Sequence, residues 1–303
     1  MKVNLFTIGD YAVRSYGLVV ALAVLLAMGV ANFLVRKTPY QKHIPNLILY
    51  VILGAVIGAR FWHVFFFQRD YYAEHLSEIP AIWNGGIAIQ GALVGGFAAA
   101  AIYTRIQRIS FWELADLVAP AIVLGQAIGR IACFLNGDAY GSPTGSSFGI
   151  VYPEGTMAYD AYGSQPLWPA EIWEGQWDLI VFAILIALKN KIWPTGFIFL
   201  VYNILYAAGR FMLEFLRGDS PRYAFHWTAG QWTSFAVIIV SIGFMVYLVY
   251  RSKQGENGML VSDGINSSGR RWSNGLGLVA NTRLSPHDAD HDEGNAREQR
   301  KPE

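Results

Sequence analysis

Long apolar runs separated by short polar stretches recur through the first 250 residues of the chain. A bilayer-crossing helix needs about 20 predominantly apolar residues, and seven segments meet or approach that length. Tyr16–Val35 is free of charge, too long for a signal-peptide core, and not followed by a convincing cleavage site. Ile44–Phe66 is interrupted by Arg60 and His63, whereas Ala81–Tyr103 has no charge but carries Gly85, Gly86, Gly91, Gly95 and Gly96. Phe111–Leu135 holds Glu113 and Asp116 near one end and Arg130 near the other. Glu171–Leu188 is short, Thr195–Phe215 contains Arg210 and Glu214, and Ala229–Tyr250 is uncharged. The pattern predicts an all-α, polytopic membrane fold with seven transmembrane helices.

Composition changes the picture only at the C-terminal end. Of 303 residues, 53% are hydrophobic and 15% charged, with a mean hydropathy of +0.31, whereas soluble domains carry about a quarter charged residues. Residues 251–303 nevertheless hold 16 charged residues, eight basic and eight acidic, and one aromatic, Trp272. Such a segment cannot bury enough apolar surface to offset its chain entropy. It is expected to be a polar, disordered tail behind a membrane domain of residues 1–250. A net charge of +1 provides no basic field for nucleic acid. One cysteine excludes a disulfide framework, a cysteine zinc cluster and a CxxC redox site, and no cofactor or metal is expected.

Seven spans put the two termini on opposite sides, and the Lys/Arg balance orients them. One set of loops holds nine basic residues (Arg36, Lys37, Lys42, Arg105, Arg108, Lys189, Lys191, Arg251, Lys253) and the other five (Lys2, Arg14, Arg69, Arg217, Arg222). The N-terminus and the 136–170 connection are therefore expected outside and the tail in the cytoplasm. The 136–170 connection is polar, punctuated by Gly and Pro, and long enough for a small head or lid.

Charges within spans carry the chemical information, because each costs at least ~2.5–3.5 kcal/mol at mid-bilayer. Arg60, Arg130 and Arg210 all fall toward the outer ends of their spans. Three guanidiniums at one depth form a natural phosphate pocket, since each can grip two oxygens. The competing reading is pairing with internal acids: Glu214 is four residues from Arg210, and Asp138 lies just past Arg130. Gly54/Gly58, Gly91/Gly95 and Gly125/Gly129 have the spacing for close helix packing. Gly85-Gly86 instead marks an unwound or re-entrant stretch beside a polar cavity. Gln90 would face that cavity or form an interhelical hydrogen bond. Cys133, among apolar residues, reads as a small buried side chain.

These pieces together resemble the prolipoprotein diacylglyceryl transferase family. Gly129-Arg-Ile-Ala-Cys-Phe-Leu-Asn-Gly-Asp-Ala-Tyr-Gly141 resembles its signature, a GRxGNFxNxExxG-like run. Val13-Arg-Ser-Tyr-Gly17, Gly58-Ala-Arg60 and Gly85-Gly-Ile-Ala-Ile-Gln-Gly-Ala-Leu-Val-Gly95 resemble further blocks in the same order, as does Tyr206-Ala-Ala-Gly-Arg-Phe-Met-Leu-Glu-Phe-Leu-Arg217. The match covers about residues 11–250.

The resemblance implies transfer of the diacylglyceryl group from phosphatidylglycerol to the lipobox cysteine of a prolipoprotein in the bacterial inner membrane, with release of glycerol phosphate. It further implies that Arg130 and Arg210 bind the lipid phosphate. Tyr16, Asn136, Glu214 and Gly141 fall on other family positions, the first three as polar positioning groups, and Tyr206 opens the last block. The chain departs from the pattern at Gln90, where much of the family has His as the proposed base. Ala132, Cys133 and Asp138 also replace Gly, Asn and Glu of the signature. His63, one turn from Arg60, is an alternative base or a hydrogen-bonded packing residue. The competing class is a diverged, non-catalytic anionic-lipid-binding or transport-like membrane protein.

Overall fold

The computed structural model describes residues 4–8 and 11–253, so all but the first three residues of the expected tail lie outside the described residues. Two strands, β1 (Asn4–Ile8) and β2 (Tyr11–Arg14), form an antiparallel hairpin that the apolar pattern does not predict. The rest is helical: α1 (Ser15–Val35), α2 (Ile44–Trp62), α3 (Arg69–Glu74), α4 (Ile89–Ile106), α5 (Phe111–Asn136), α6 (Met157–Tyr162), α7 (Ala170–Leu188), α8 (Phe197–Leu213) and α9 (Ala229–Lys253). A π-helical turn, His63–Phe67, extends α2.

Six stretches among the described residues are long and apolar enough to cross a membrane: Ser15–Val35, Gln41–Phe67, Ile89–Ile106, Phe111–Asn136, Phe197–Leu216 and Ala229–Tyr250. The protein is a polytopic membrane protein. The fifth expected span, α7, is not among the six, because its 19 residues include Glu171, Glu174 and Asp178. All three acids are buried, so its polarity is turned into the bundle. The third expected span starts late. Gly85 (φ +85°) and Gly86 (φ +71°) hold conformations that side chains resist and a helix cannot contain, so α4 begins only at Ile89. The unwound stretch leaves Trp83 79% exposed, as suits a ring at a membrane interface.

Glycine decides how α2 meets α4. A Cβ on Gly91 would lie 2.1 Å from the Gly58 carbonyl oxygen, and one on Gly54 would lie 2.7 Å from that of Gly95. The two helices therefore touch backbone to backbone, as the small-residue spacing requires. Gly129 has open space around it, so not every such spacing is a seam. We expect Gly91→Val to lower stability by at least about 1–3 kcal/mol, as for other overpacked sites, read as a lower thermal midpoint in detergent.

The central helix is α5, which packs against α1, α7 and α8, while α8 packs against α9. One apolar cluster joins α1, α2, α4 and α5 around Val35, Leu47 and Leu114; another joins α5, α7 and α8 around Val123, Val181 and Leu185. The C-terminal ends of α5 and α8 meet the N-terminal ends of α7 and α9 beside the head, residues 137–169. The head has its own small core of Tyr152, Ala158 and Leu167.

Candidate active site

α5 ends where Gly137 adopts a left-handed conformation, its N–H bonding back to the Cys133 carbonyl at 2.9 Å. This stop turns the chain into the head just beyond Arg130. Asn136 donates to Asp138 at 2.9 Å across the turn. Asp138 thus faces Asn136 and lies within electrostatic reach of Cys133; it does not pair with Arg130. Tyr16, exposed at the start of α1, lies within electrostatic reach of Cys133, Asp138 and Arg130.

Glu174 organises the cluster. Only 2% of its side chain is exposed, and it accepts from Arg130 Nη2 and from Arg210 Nη1, the latter at 3.0 and 3.1 Å to its two oxygens. Arg217 Nη1 approaches it to 3.7 Å. Arg210 also pairs with Glu214 at 2.8 Å, the four-residue pairing that the sequence allows. Glu214 in turn accepts from Thr228 at 2.9 Å, while Arg217 donates to Asp219 at 2.8 Å. Three guanidiniums thus face three carboxylates, which offsets the cost of burying them. Asp178, one turn further along α7, has no hydrogen-bond partner on either oxygen among the described residues. Tyr206 lies within electrostatic reach of Arg130, Arg210, Glu174 and Asp178.

The guanidiniums keep ligand capacity. Arg130 gives one N–H to Glu174 and makes no other hydrogen bond among the described residues, which leaves four of its five donors for a ligand. Its side chain is 18% exposed and that of Arg210 20%. The arrangement suits an anion that gains charge while bound.

Backbone seams fix the head above this cluster. Gly141 bridges to Arg217, Ser142 N donates to Leu216 O at 2.7 Å, and Gly218 N to Tyr140 O at 3.1 Å. A Cβ on Gly141 would come 2.2 Å from the Trp168 carbonyl oxygen, so only glycine admits that approach.

Arg60 stands apart. Its Nε donates to Ile79 O at 2.7 Å, Nη1 to Gly85 O and Gly86 O at 2.7 and 2.9 Å, and Nη2 to Glu78 O at 2.7 Å. With four of five donors held by carbonyls, it clasps the unwound 78–86 stretch against α2. Arg60 therefore shares no ion-pair partner with Arg130 and Arg210 among the described residues; the third guanidinium at Glu174 is that of Arg217. His63 sits beside the clasp, its Nε2 2.6 Å from where a Gly86 Cβ would be, and its ring meets Phe67 and Tyr72 edge-on. Gln90 is exposed in the first turn of α4. Arg60→Lys should lower the thermal midpoint, because at least one carbonyl loses its donor, while KM for lipid stays within about threefold; a KM rise matching that of an Arg130 variant would restore Arg60 as a ligand.

A family profile described as prolipoprotein diacylglyceryl transferase matches residues 3–247. The chain belongs to that family. It is similar to phosphatidylglycerol–prolipoprotein diacylglyceryl transferases from Acaryochloris marina (39% identical over 220 residues, 72% of this chain and 80% of that one) and Nostoc sp. (39% over 224 residues, 71% and 78%). A third, from Listeria innocua, is 37% identical over 246 residues, 79% of this chain and 87% of that one. Within this diacylglyceryl transferase frame, Glu174 and Arg217 are the residues that reading the sequence missed. The signal was present: Glu171, Glu174 and Asp178 are three and seven residues apart, the spacing of a single helix face.

Proposed function

We propose that this chain transfers the diacylglyceryl group of phosphatidylglycerol to the lipobox cysteine thiol of a prolipoprotein, in the bacterial plasma membrane. A thioether forms as the glyceryl C–O bond breaks, and glycerol phosphate leaves. The observation that carries the reading is Arg130, with four of its five donors unbonded among the described residues, set beside Arg210 on a shared carboxylate. Hydrogen-bond donors aimed at a departing phosphate stabilise its growing charge in the transition state. Tyr16, Asn136 and Asp138 would orient lipid or peptide at the head end, with Glu214 and Tyr206 supporting the arginines. The basic-residue asymmetry supports a head outside the cell and a C-terminus in the cytoplasm.

Gln90 accepts no proton at useful pH, so the thiol is activated by the positive field, or by His63. A field lowers a thiol pKa without any proton acceptor in the site, and water or the leaving phosphate takes the proton. The test is the initial rate of transfer to a lipobox peptide, followed by mass shift, from about pH 6 to 9. Gln90→Ala should lose roughly tenfold, as for one positioning contact. Gln90→His should equal or exceed the wild type below about pH 7.5, since imidazole titrates near ~6.5. Collapse in His63→Ala would make His63 the base, and little change would favour the field. No transfer by folded wild type at any pH would leave a lipid-binding protein.

A further inference from the structure

We propose that the end of the bundle opposite the arginine cluster binds the phosphodiester headgroup of an anionic phospholipid. There, the connection after α1 and the connection after α7 converge on the first turns of α5 around a cavity of about 150 Å³. Its lining includes Arg36, Lys37, Lys189 and Lys191, with Phe33 and Leu117 among the apolar members. That volume far exceeds the ~10–15 Å³ that admits one water.

Two buried carboxylates hold this basic ring in place. Tyr40, at the end of the first connection, donates its hydroxyl to Glu113 of α5. Asp116, one turn on, accepts from Gly196 N at 2.6 Å and Phe199 N at 2.7 Å, which pins the second connection to the same helix. The acids that line the cavity are thus engaged in positioning the loops. No carboxylate among the described residues lies within salt-bridge distance of Arg36, Lys37 or Lys191, and all three are exposed. The Arg36 guanidinium carbon sits over the Phe33 ring, 3.9 Å from its centroid. A guanidinium so placed can still offer two N–H groups to two oxygens of one phosphate.

A free phosphate would satisfy the cations but not the apolar wall, which continues through Leu34, Pro120 and Ile198. A lipid satisfies both, and basic residues clustered at one membrane face attract anionic headgroups. The bound lipid is not the donor of the transfer reaction. Asp116 and Arg130 are 14 residues apart on α5, about 21 Å at 1.5 Å per residue.

The test counts lipids retained by the full-length protein in native mass spectrometry, with phosphatidylglycerol, phosphatidylcholine or soluble glycerol 3-phosphate as probe. Wild type should retain one more phosphatidylglycerol than a variant carrying Arg36→Gln, Lys37→Gln, Lys189→Gln and Lys191→Gln, and phosphatidylcholine should add none. Transfer activity of the variant, within about twofold of wild type at saturating donor, certifies its fold. The milder Lys37→Gln/Lys191→Gln pair, both exposed, should weaken retention about fivefold for each cation removed. Equal retention by wild type and variants, or equal retention of phosphatidylcholine, overturns the proposal. So does saturation by glycerol 3-phosphate at the lipid's concentration, which would mark a soluble-anion site.

Discussion

Replacing Arg130 or Arg210 by lysine should lower kcat/KM for diacylglyceryl transfer at least ~100-fold, the usual result of removing one preorganised donor from a developing anion. Lysine keeps the charge, so Glu174 remains paired and the fold survives. What is lost is the planar fork that holds Glu174 with one edge and, in the proposed role, offers the other to the phosphate. Arg130 should be the more sensitive of the two, because it gives a single N–H to the protein whereas Arg210 is engaged by both Glu174 and Glu214. The measurement is initial rate at several lipid concentrations, with the thermal midpoint as a fold control. Turnover near wild type in either variant would remove that arginine from the reaction.

Glu174→Ala should cost stability and activity together. Its carboxylate is the shared partner of Arg130, Arg210 and, at longer range, Arg217. Removing one partner of a buried ion pair typically costs about 3–5 kcal/mol, because the remaining charge is left uncompensated. Here the released arginines also lose the group that sets their spacing. Glu174→Asp retains the charge one methylene short, and should recover more of the thermal midpoint than of the transfer rate. Recovery of full rate by Glu174→Asp would show that the carboxylate holds charge balance but not geometry.

What could be read from the chain depended on whether a feature is local. The runs that became α1, α5 and α9 start within one residue of where apolarity places them, since helix length and bilayer thickness are linked along one segment. The Arg210–Glu214 pair followed from four-residue spacing. The Gly85-Gly86 break was legible because paired glycines weaken any helix, whatever surrounds them. The β1–β2 hairpin was not, since its ladder depends on pairing between two short strands with no apolar run to announce them. The carbonyl partners of Arg60 were not legible for a related reason. Position along a span gives depth but not direction around the helix axis, and its partners are carbonyls 18 to 26 residues away. Glu174 was overlooked because its three partners come from two other segments.

The seam between residues 140–142 and 216–218 bears on how substrates arrive. Backbone hydrogen bonds and the Gly141–Arg217 bridge join the head to the chain that carries Arg210, Glu214 and Arg217. Residues 140–142 cannot lift from the wall of the site without breaking those bonds. A head held down at this seam leaves the sideways route beneath it for the proposed substrates. A lipid whose tails never leave the bilayer, and a peptide anchored by an apolar helix, both travel in that plane.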